Sequence, residues 1–237
     1  MHEFFFHITA RDKETRARTG MLTTPHGDIR TPAFVPVGTQ ASIKSLDSMD
    51  IQALGVDMFF VNTYHIYLRP GIDVVKHAGG LHAFMSWDGP IITDSGGFQA
   101  FSLSRMKFSD MTPEKTAPKP SLLSRVTEDG VEFQSHWDGS RHSFTAEKSM
   151  ELQWDLGSDI HIAFDDCTPY PISHDGARAS MERTHRWAQK SLEAHRRLEA
   201  RNQHTHSQFL YGVVQGSVYE DLRITSAKTI SALGFDG

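Results

Sequence analysis

The stretch Leu156-Gly157-Ser158-Asp159-Ile160-His161-Ile162-Ala163-Phe164-Asp165 decides the fold class. Leu156 closes an amphipathic stretch, and Gly157 can take the left-handed conformation that commonly follows the last turn of a helix. The apolar run after it is typical of a buried strand, and this run stops at the carboxylate of Asp165. One segment therefore predicts a helix, a tight joint, a strand and a polar strand end.

The same Leu-Gly-x-Asp joint occurs twice more, at residues 54–57 and 233–236. Repeated helix-to-strand joints indicate βα units and a parallel arrangement of strands. Five strands are predicted, near residues 33–37, 57–61, 90–93, 160–164 and 210–214. A sixth strand is expected directly after the third joint. A closed eight-stranded barrel usually takes roughly 250 residues or more. The sequence is therefore interpreted as ending before all strands of such a fold are present.

Extra pieces lie before and between these units. Residues 1–31 are interpreted as an antiparallel cap, with strand-like sequence from residue 4 and a turn at 25–28. Residues 131–144, with Asp138-Gly139 at their centre, predict a hairpin insertion. Residues 104–124 lack apolar periodicity and are predicted to be a flexible insertion that is dispensable for folding. A long helix is predicted over 174–201, and residues 1–237 are interpreted as one incomplete barrel domain.

Composition limits the classes of protein that the chain can belong to. The 237 residues carry a net charge of −5, so no global basic field attracts nucleic acid. The single cysteine, Cys167, excludes an internal disulfide and a cysteine-cluster zinc site, and no metal ligands are predicted within these residues. The amino end is apolar for only three residues, too short for a signal-peptide core or a membrane span. A cytoplasmic protein without membrane contact is expected.

Four predicted strands end at a residue that can hydrogen-bond a ligand: Asn62, Asp94, Asp165 and Gln215. Because the carboxyl ends of parallel strands converge on one face, these side chains are expected to share a pocket. A purine such as guanine offers N–H donors to Asp165, and its O6 can accept from Gln215 and from the backbone N–H of Gly216.

The segment Ser95-Gly96-Gly97-Phe98 extends this predicted pocket. The glycines let the backbone approach a ligand closely, and Phe98 can lie flat on a base, a contact worth roughly 1–3 kcal/mol. Plainer interpretations stay open: Asp94 or Asp165 can cap the next helix, and Gln215-Gly216 alone can be a turn. Asp166 is predicted to cap a helix or pair with an arginine.

Other candidate residues are weaker. Ser95 lacks the leading glycine of the G-x-S-x-G nucleophile elbow. The 14 histidines contain no H-E-x-x-H pair, and His204-x-His206 is interpreted as a solvated loop. Cys167 is either a reactive thiol or, as we favour, a pocket wall. The basic residues of the long helix are interpreted as a solvated face, with an RNA contact as the alternative.

Five motifs closely resemble bacterial tRNA-guanine transglycosylase, also called queuine tRNA-ribosyltransferase. They are residues 31–40 (TPAFVPVGTQ), 62–65 (NTYH), 93–99 (TDSGGFQ), 164–171 (FDDCTPYP) and 214–223 (VQGSVYEDLR). The resemblance covers nearly the whole chain apart from residues 104–124. It implies a (β/α)8 TIM-type barrel with a zinc-binding insertion, here truncated after about five strands.

The resemblance also implies an activity. The family exchanges guanine at the wobble position of tRNAs with a GUN-type anticodon for the queuosine precursor preQ1, through a covalent enzyme–RNA intermediate. Asp94 matches the family's general acid/base, and residues 94–98 match its base-binding loop. Asp165 and Gln215 match its base-recognising residues, and Asn62 lies in a family motif. Cys167 matches the bacterial branch.

The nucleophilic aspartate, the Gly-rich segment after the sixth strand and the zinc ligands, three cysteines and one histidine, lie beyond Gly237 in the family. A homodimer is implied for the full-length protein. Two hypotheses follow: a fragment of a transglycosylase, or a non-catalytic accessory subunit that binds tRNA or a partner. The retained base pocket favours the first. The 237-residue chain alone is expected neither to exchange bases nor to fold to a stable monomer.

Overall fold

The structure is a computed structural model that describes residues 5–102, 124–201 and 206–237. The predicted flexible insertion 104–124 lies outside the described residues except for Ser124, and so does His204 of the predicted solvated loop.

The fold is built on a five-stranded parallel sheet. Its strands are β4 (Val37–Gly38), β5 (Phe59–Val61), β6 (Ile91–Thr93), β10 (Ile160–Ile162) and β11 (Phe209–Tyr211), in the order β11-β10-β6-β5-β4. All four neighbouring pairs are parallel. The prediction of an α/β fold with a parallel sheet is confirmed. No closed barrel is seen in the described ranges, where the sheet is open with β4 and β11 at its edges.

The first strand is shorter than the predicted stretch 33–37, since β4 covers only Val37–Gly38. Pro32 and Pro36 carry no N–H and so cannot donate to a sheet ladder. Pro36 still contributes its carbonyl, which accepts from the N–H of Phe60 at 3.0 Å. The sequence pattern therefore located the strand but overestimated its length.

Helices connect the strands. They are α1 (Ser48–Ala53), α2 (Thr63–Leu68), α3 (Ile72–His77), α4 (Leu81–Met85), α5 (Gly97–Ser102), α6 (Ala146–Leu156), α7 (His174–Glu199) and α8 (Glu220–Leu233). The predicted joints follow α1, α6 and α8, and their glycines are left-handed, with φ of 68° at Gly55, 73° at Gly157 and 80° at Gly234. Leu156 is fully buried, whereas Leu54 is exposed.

The predicted cap is a three-stranded antiparallel sheet of β1 (Phe5–Arg11), β2 (Arg18–Thr24) and β3 (Gly27–Thr31). Leu22 and Ile29 of this cap pack with Met58, Ile92 and Ile160, so the cap covers apolar residues of the parallel sheet. The predicted hairpin is β8 (Val131–Gln134) and β9 (Arg141–Phe144). These two strands pair antiparallel as predicted, and β7 (Ser124–Val126) pairs with β8 to make a three-stranded sheet.

Helix α7 ends two residues before the predicted limit of the long helix. Its predicted apolar face is buried, with Met181 at 3%, Ala188 at 0% and Leu192 at 4% exposure. It packs against α6 and α8, and its Leu192 and Leu198 join an apolar cluster with Leu210 of β11. No helix in the described parts of the chain is long and apolar enough to cross a membrane.

Candidate active site

Asp94 is the most heavily hydrogen-bonded of the strand-end residues. Its Oδ2 accepts from Asn62 Nδ2 at 2.6 Å and Gln99 Nε2 at 2.8 Å. Its Oδ1 accepts from the N–H of Thr63 at 2.8 Å and of Gly96 at 3.1 Å. Because Thr63 is the first residue of α2, the carboxylate caps a helix, although not the one that follows its own strand. The sequence allowed a capping interpretation of Asp94 for the helix after its own strand, and the structure shows this carboxylate at the start of α2 instead.

Burial raises the pKa of Asp94, and the hydrogen bonds from Asn62, Thr63, Gln99 and Gly96 oppose that rise. The net pKa lies above the usual value for aspartate. A carboxyl group with a raised pKa can hold a proton closer to neutral pH, which a general acid/base requires.

Asp165 and Gln215 follow the neighbouring strands β10 and β11 by three and four residues, and their side chains meet. Gln215 Nε2 donates to Asp165 Oδ2 at 2.7 Å, and the hydroxyl of Ser95 donates to Oδ1 at 3.5 Å. Burial raises the pKa of Asp165 to about 6, with further increases from the charges of Asp166 and Asp94. Since an amide has two N–H groups, Gln215 keeps a second donor for a ligand.

Close packing explains the two glycines after Ser95. Gly96 has a φ of 76°, and a Cβ there would lie 2.6 Å from the ring of Phe144. A Cβ at Gly97 would lie 3.2 Å from the carbonyl oxygen of Asp165. Phe98 follows in the first turn of α5 and is 54% exposed. The turn therefore brings strand ends β6 and β10 together and leaves an aromatic face in solvent.

Gly216 is the third tightly packed glycine of the site. It is buried with a φ of 116°, and a Cβ there would lie 2.6 Å from the backbone nitrogen of Arg223. The carbonyl of Gly216 accepts from the N–H of Tyr219 at 3.1 Å, next to the start of α8.

Hydroxyl groups of the helices hold the strand ends in place. Ser149 donates to the carbonyl of Ser95 at 2.8 Å, Ser191 accepts from the N–H of Phe164 at 3.1 Å, and Ser226 accepts from the N–H of Gln215 at 3.0 Å. None of these three serines was predicted from the sequence. Their signal is a small polar residue within the buried face of α6, α7 or α8, where an unpaired hydroxyl would cost free energy.

Gln153 of α6 is a fourth residue that the sequence did not reveal. Its Oε1 accepts from Thr93 Oγ1 at 2.9 Å and from the N–H of Ile162 at 3.0 Å. Its Nε2 donates to the carbonyl of Ile162 at 3.0 Å and to Ser149 Oγ at 3.1 Å. The pairing of β6 with β10 ends at Thr93 and His161. The next residue, Ile162, therefore forms its backbone hydrogen bonds with the Gln153 side chain instead of with β6.

The predicted arginine partner of Asp166 is Arg183, whose Nη1 donates to Asp166 Oδ2. The N–H of Asp166 donates to Thr184 Oγ1 at 3.0 Å, and its carbonyl accepts from Ser180 Oγ at 2.6 Å. Arg183 also donates to Glu128 at 2.9 Å. These hydrogen bonds of Asp166 anchor the backbone next to Asp165 to α7.

Cys167 is partly buried, and burial together with the charges of Asp165 and Asp166 raises the pKa of its thiol to about 11. At neutral pH this thiol is protonated, which argues for the pocket-wall interpretation over the reactive one. With one cysteine in 237 residues, the chain cannot supply the three-cysteine zinc set that the family resemblance implies.

Two acidic side chains, two amides, a backbone N–H and an exposed ring at the carboxyl ends of a parallel sheet define a class of protein. They describe an α/β protein with a cluster of polar side chains at the carboxyl ends of its parallel strands. A family model described as queuine tRNA-ribosyltransferase matches residues 12–237, and the chain belongs to this family.

Three relatives illustrate the similarity, each named queuine tRNA-ribosyltransferase. The Desulforamulus reducens protein is 49% identical over 97% of this chain and 55% of its own length. The Pelotomaculum thermopropionicum protein is 48% identical over 98% of the chain and 56% of its own length. For Staphylococcus aureus the identity is 47% over 95% of the chain and 53% of the relative. The chain thus spans about half the length of the curated relatives it matches.

Proposed function

We propose that this chain forms the base-recognising and proton-transferring part of a tRNA-guanine transglycosylase, which exchanges guanine in tRNA for preQ1. The observation that carries the proposal is the convergence of four strand ends. Asn62 is bonded to Asp94, and Gln215 is bonded to Asp165. Ser95, the residue after Asp94, connects the two pairs through its contact with Asp165.

The base is held by complementary hydrogen bonds and by stacking. Ionised Asp165 accepts from the N–H donors of guanine or preQ1, while Gln215 and the N–H of Gly216 donate to O6. Phe98 stacks on the ring, and the hydroxyl of Ser95 steadies Asp165. Gly96 and Gly97 let the turn after Asp94 pack against Phe144 and Asp165, which holds Ser95 and Phe98 beside the pocket.

Asp94 transfers the proton. With its raised pKa it gives a proton to the departing guanine and takes one from the incoming base, so the net proton balance is zero. The carboxylate that attacks the ribose C1′ belongs, by the family resemblance, to the portion of the relatives that this chain does not cover. We also assign to the longer protein the completed (β/α)8 barrel, the zinc subdomain, the homodimer and a cytoplasmic location.

Base binding tests the role of Asp165. In a chimaera in which the Desulforamulus reducens relative supplies the portion beyond residue 237, Asp165→Asn should weaken guanine and preQ1 binding by roughly 1–3 kcal/mol, because an amide donor then faces the donors of the base. Isothermal titration calorimetry measures the effect, with Asp129→Asn, an exposed site, as the matched control. Equal affinity of the Asp165→Asn variant and the parent would refute the base-reading role.

The pH dependence of binding is a separate prediction. Asp165 has a pKa of about 6, so guanine affinity should be constant well above pH 6 and fall below it, by about tenfold at pH 5, as the acceptor is protonated. The folded-state pKa of Asp165 exceeds the ordinary value of 3.8, so the ionised side chain destabilises the fold above pH 6. Because the neutral amide of Asp165→Asn carries no such charge, this variant should remain folded. The Asp165→Asn variant should show a flat profile between pH 5 and 8, and a flat profile in the parent would contradict the assignment.

A further inference from the structure

Three titratable side chains meet at the amino-terminal ends of the strands, opposite the base pocket. His26 lies in the turn between β2 and β3, His82 in α4, and Asp159 directly before β10. His26 Nδ1 is 2.7 Å from Asp159 Oδ1, and His82 Nε2 is 3.2 Å from Asp159 Oδ2. The ligand atoms of the three residues all lie within 4.8 Å of one another. None of them contributes to the base pocket.

The carboxylate of Asp159 is fixed in position by the sheet. Its Oδ2 accepts from the N–H of Ile91 at 2.8 Å, its own N–H donates to the carbonyl of Ile91 at 2.9 Å, and its carbonyl accepts from Phe209 at 2.8 Å. Asp159 has no exposed surface, and although burial alone would raise its pKa, its histidine partners hold that pKa well below the usual range. A buried carboxylate that stays ionised calls for cationic or strongly polar partners.

A third imidazole, that of His206, lies beside the cluster of His26, His82 and Asp159. The ring of His206 meets the His26 ring edge-on at 4.6 Å between centroids and the His82 ring at 5.9 Å. His206 is partly buried, so the interpretation of residues 204–206 as a solvated loop is wrong for His206. Sequence analysis predicted no metal ligands because His26 and His82 lie 133 and 77 positions from Asp159, without any local motif.

We propose that His26, His82 and Asp159 bind a divalent transition-metal ion of the zinc type. Two imidazoles and one carboxylate are ligands that Zn²⁺ and its neighbours accept, and a carboxylate fixed by a backbone N–H has the outer-shell support usual for such ligands. Metal–ligand bonds of about 2.0–2.2 Å separate neighbouring ligand atoms by roughly 3–3.5 Å. The observed contacts of 2.7 and 3.2 Å end on different oxygens of Asp159, and one ligand atom from each residue lies within 4.8 Å of the others, so the side chains have to shift to reach that spacing.

One ring has to turn for the ion to bind. The His26 and His82 rings stack at 3.7 Å with planes 19° apart, so an ion cannot lie in both ring planes at once. His26 is the ring that turns, because it lies in a two-residue turn and is 25% exposed, against 15% for His82. The bound ion would join the antiparallel cap and α4 to the parallel sheet.

Metal binding by the purified 237-residue chain, in whichever oligomeric state its folded form adopts, tests the proposal. The metal-free chain is titrated with Co²⁺, whose visible absorption reports inner-sphere ligands, and Zn²⁺ is then added as a competitor. One equivalent of Co²⁺ should bind, Zn²⁺ should displace it, and saturating Zn²⁺ should raise the melting temperature. With only Cys167 present, thiolate ligands cannot supply a cysteine-cluster spectrum.

Histidine variants make the test specific to the cluster. His26→Gln and His82→Gln should each weaken Co²⁺ binding at least tenfold, while His77→Gln, an exposed histidine of α3, should leave it unchanged. Circular dichroism establishes that the variants fold, and the glutamine amide can keep a hydrogen bond to Asp159. Three results would each overturn the proposal: no saturable Co²⁺ binding, equal Co²⁺ binding by both variants and the parent, or no rise in melting temperature with Zn²⁺. The three side chains would then form only a hydrogen-bonded cluster.

Discussion

Asp94→Asn should reduce base exchange by about 10²- to 10⁴-fold, the usual contribution of general acid–base catalysis. The variant keeps the shape of the side chain but cannot carry a proton. The assay requires a chimaera in which the Desulforamulus reducens relative supplies the portion beyond residue 237, and it follows labelled guanine into unmodified tRNA. Binding of tRNA should be retained.

The surroundings of Asp94 make this substitution tolerable for the fold. Gln99 donates to Asp94, and its own Oε1 is buried without a hydrogen-bond partner in the described structure. Rotation of the Gln99 amide, together with rotation of the Asn62 amide that donates to the same oxygen, offers acceptors to the N–H₂ group that the substitution introduces. Asp88→Asn makes the same chemical change at an exposed position and serves as the control. Exchange by the Asp94→Asn chimaera near the parent rate would mean that Asp94 only caps α2 and its own turn.

Gln153→Leu should lower the free energy of unfolding by about 2–4 kcal/mol, since the N–H and carbonyl of Ile162 both lose their side-chain partner at a partly buried position. Urea denaturation followed by circular dichroism measures the loss. Gln189→Leu, at an exposed position of α7, is the matched control and should change stability by less than about 0.5 kcal/mol.

The Gln153 prediction also bears on the base pocket. The same side chain contacts Ser149, which holds the carbonyl of Ser95, so its loss should loosen the turn after Asp94. Guanine affinity of Gln153→Leu is expected to fall even under conditions where the variant stays folded. A stability within about 0.5 kcal/mol of the parent would show that strand pairing alone holds β6 and β10 together.

Local sequence patterns predicted the parallel sheet and the strand-end residues. A glycine after an apolar helix stripe specifies a left-handed joint because positive φ is strained for other residues, and Gly157 and its two equivalents adopt it. An apolar run that stops at Asp94 or Asp165 marks a strand end because a charge is costly inside the sheet. Both signals lie within a few consecutive residues, where periodicity and backbone preference act directly.

Contacts between residues that are distant in the sequence could not be predicted from such local patterns. The order β11-β10-β6-β5-β4 decides that Asn62 meets Asp94 and that Asp165 meets Gln215. Gln153 resembles any polar residue of an amphipathic helix until the ladder of β6 ends beside it. His26, His82 and Asp159 carry no common motif, because their proximity arises only when the cap folds over the sheet.

The sequence by itself determined the parallel α/β class, the joints between helices and strands and the polar residues at the strand ends, because these follow from neighbouring residues. Only the tertiary structure decided the partners, and with them the raised pKa of Asp165, the hydrogen bonds of Gln153 and the histidine cluster around Asp159. The physical reason is that burial and hydrogen bonding depend on which distant segments remove a group from water.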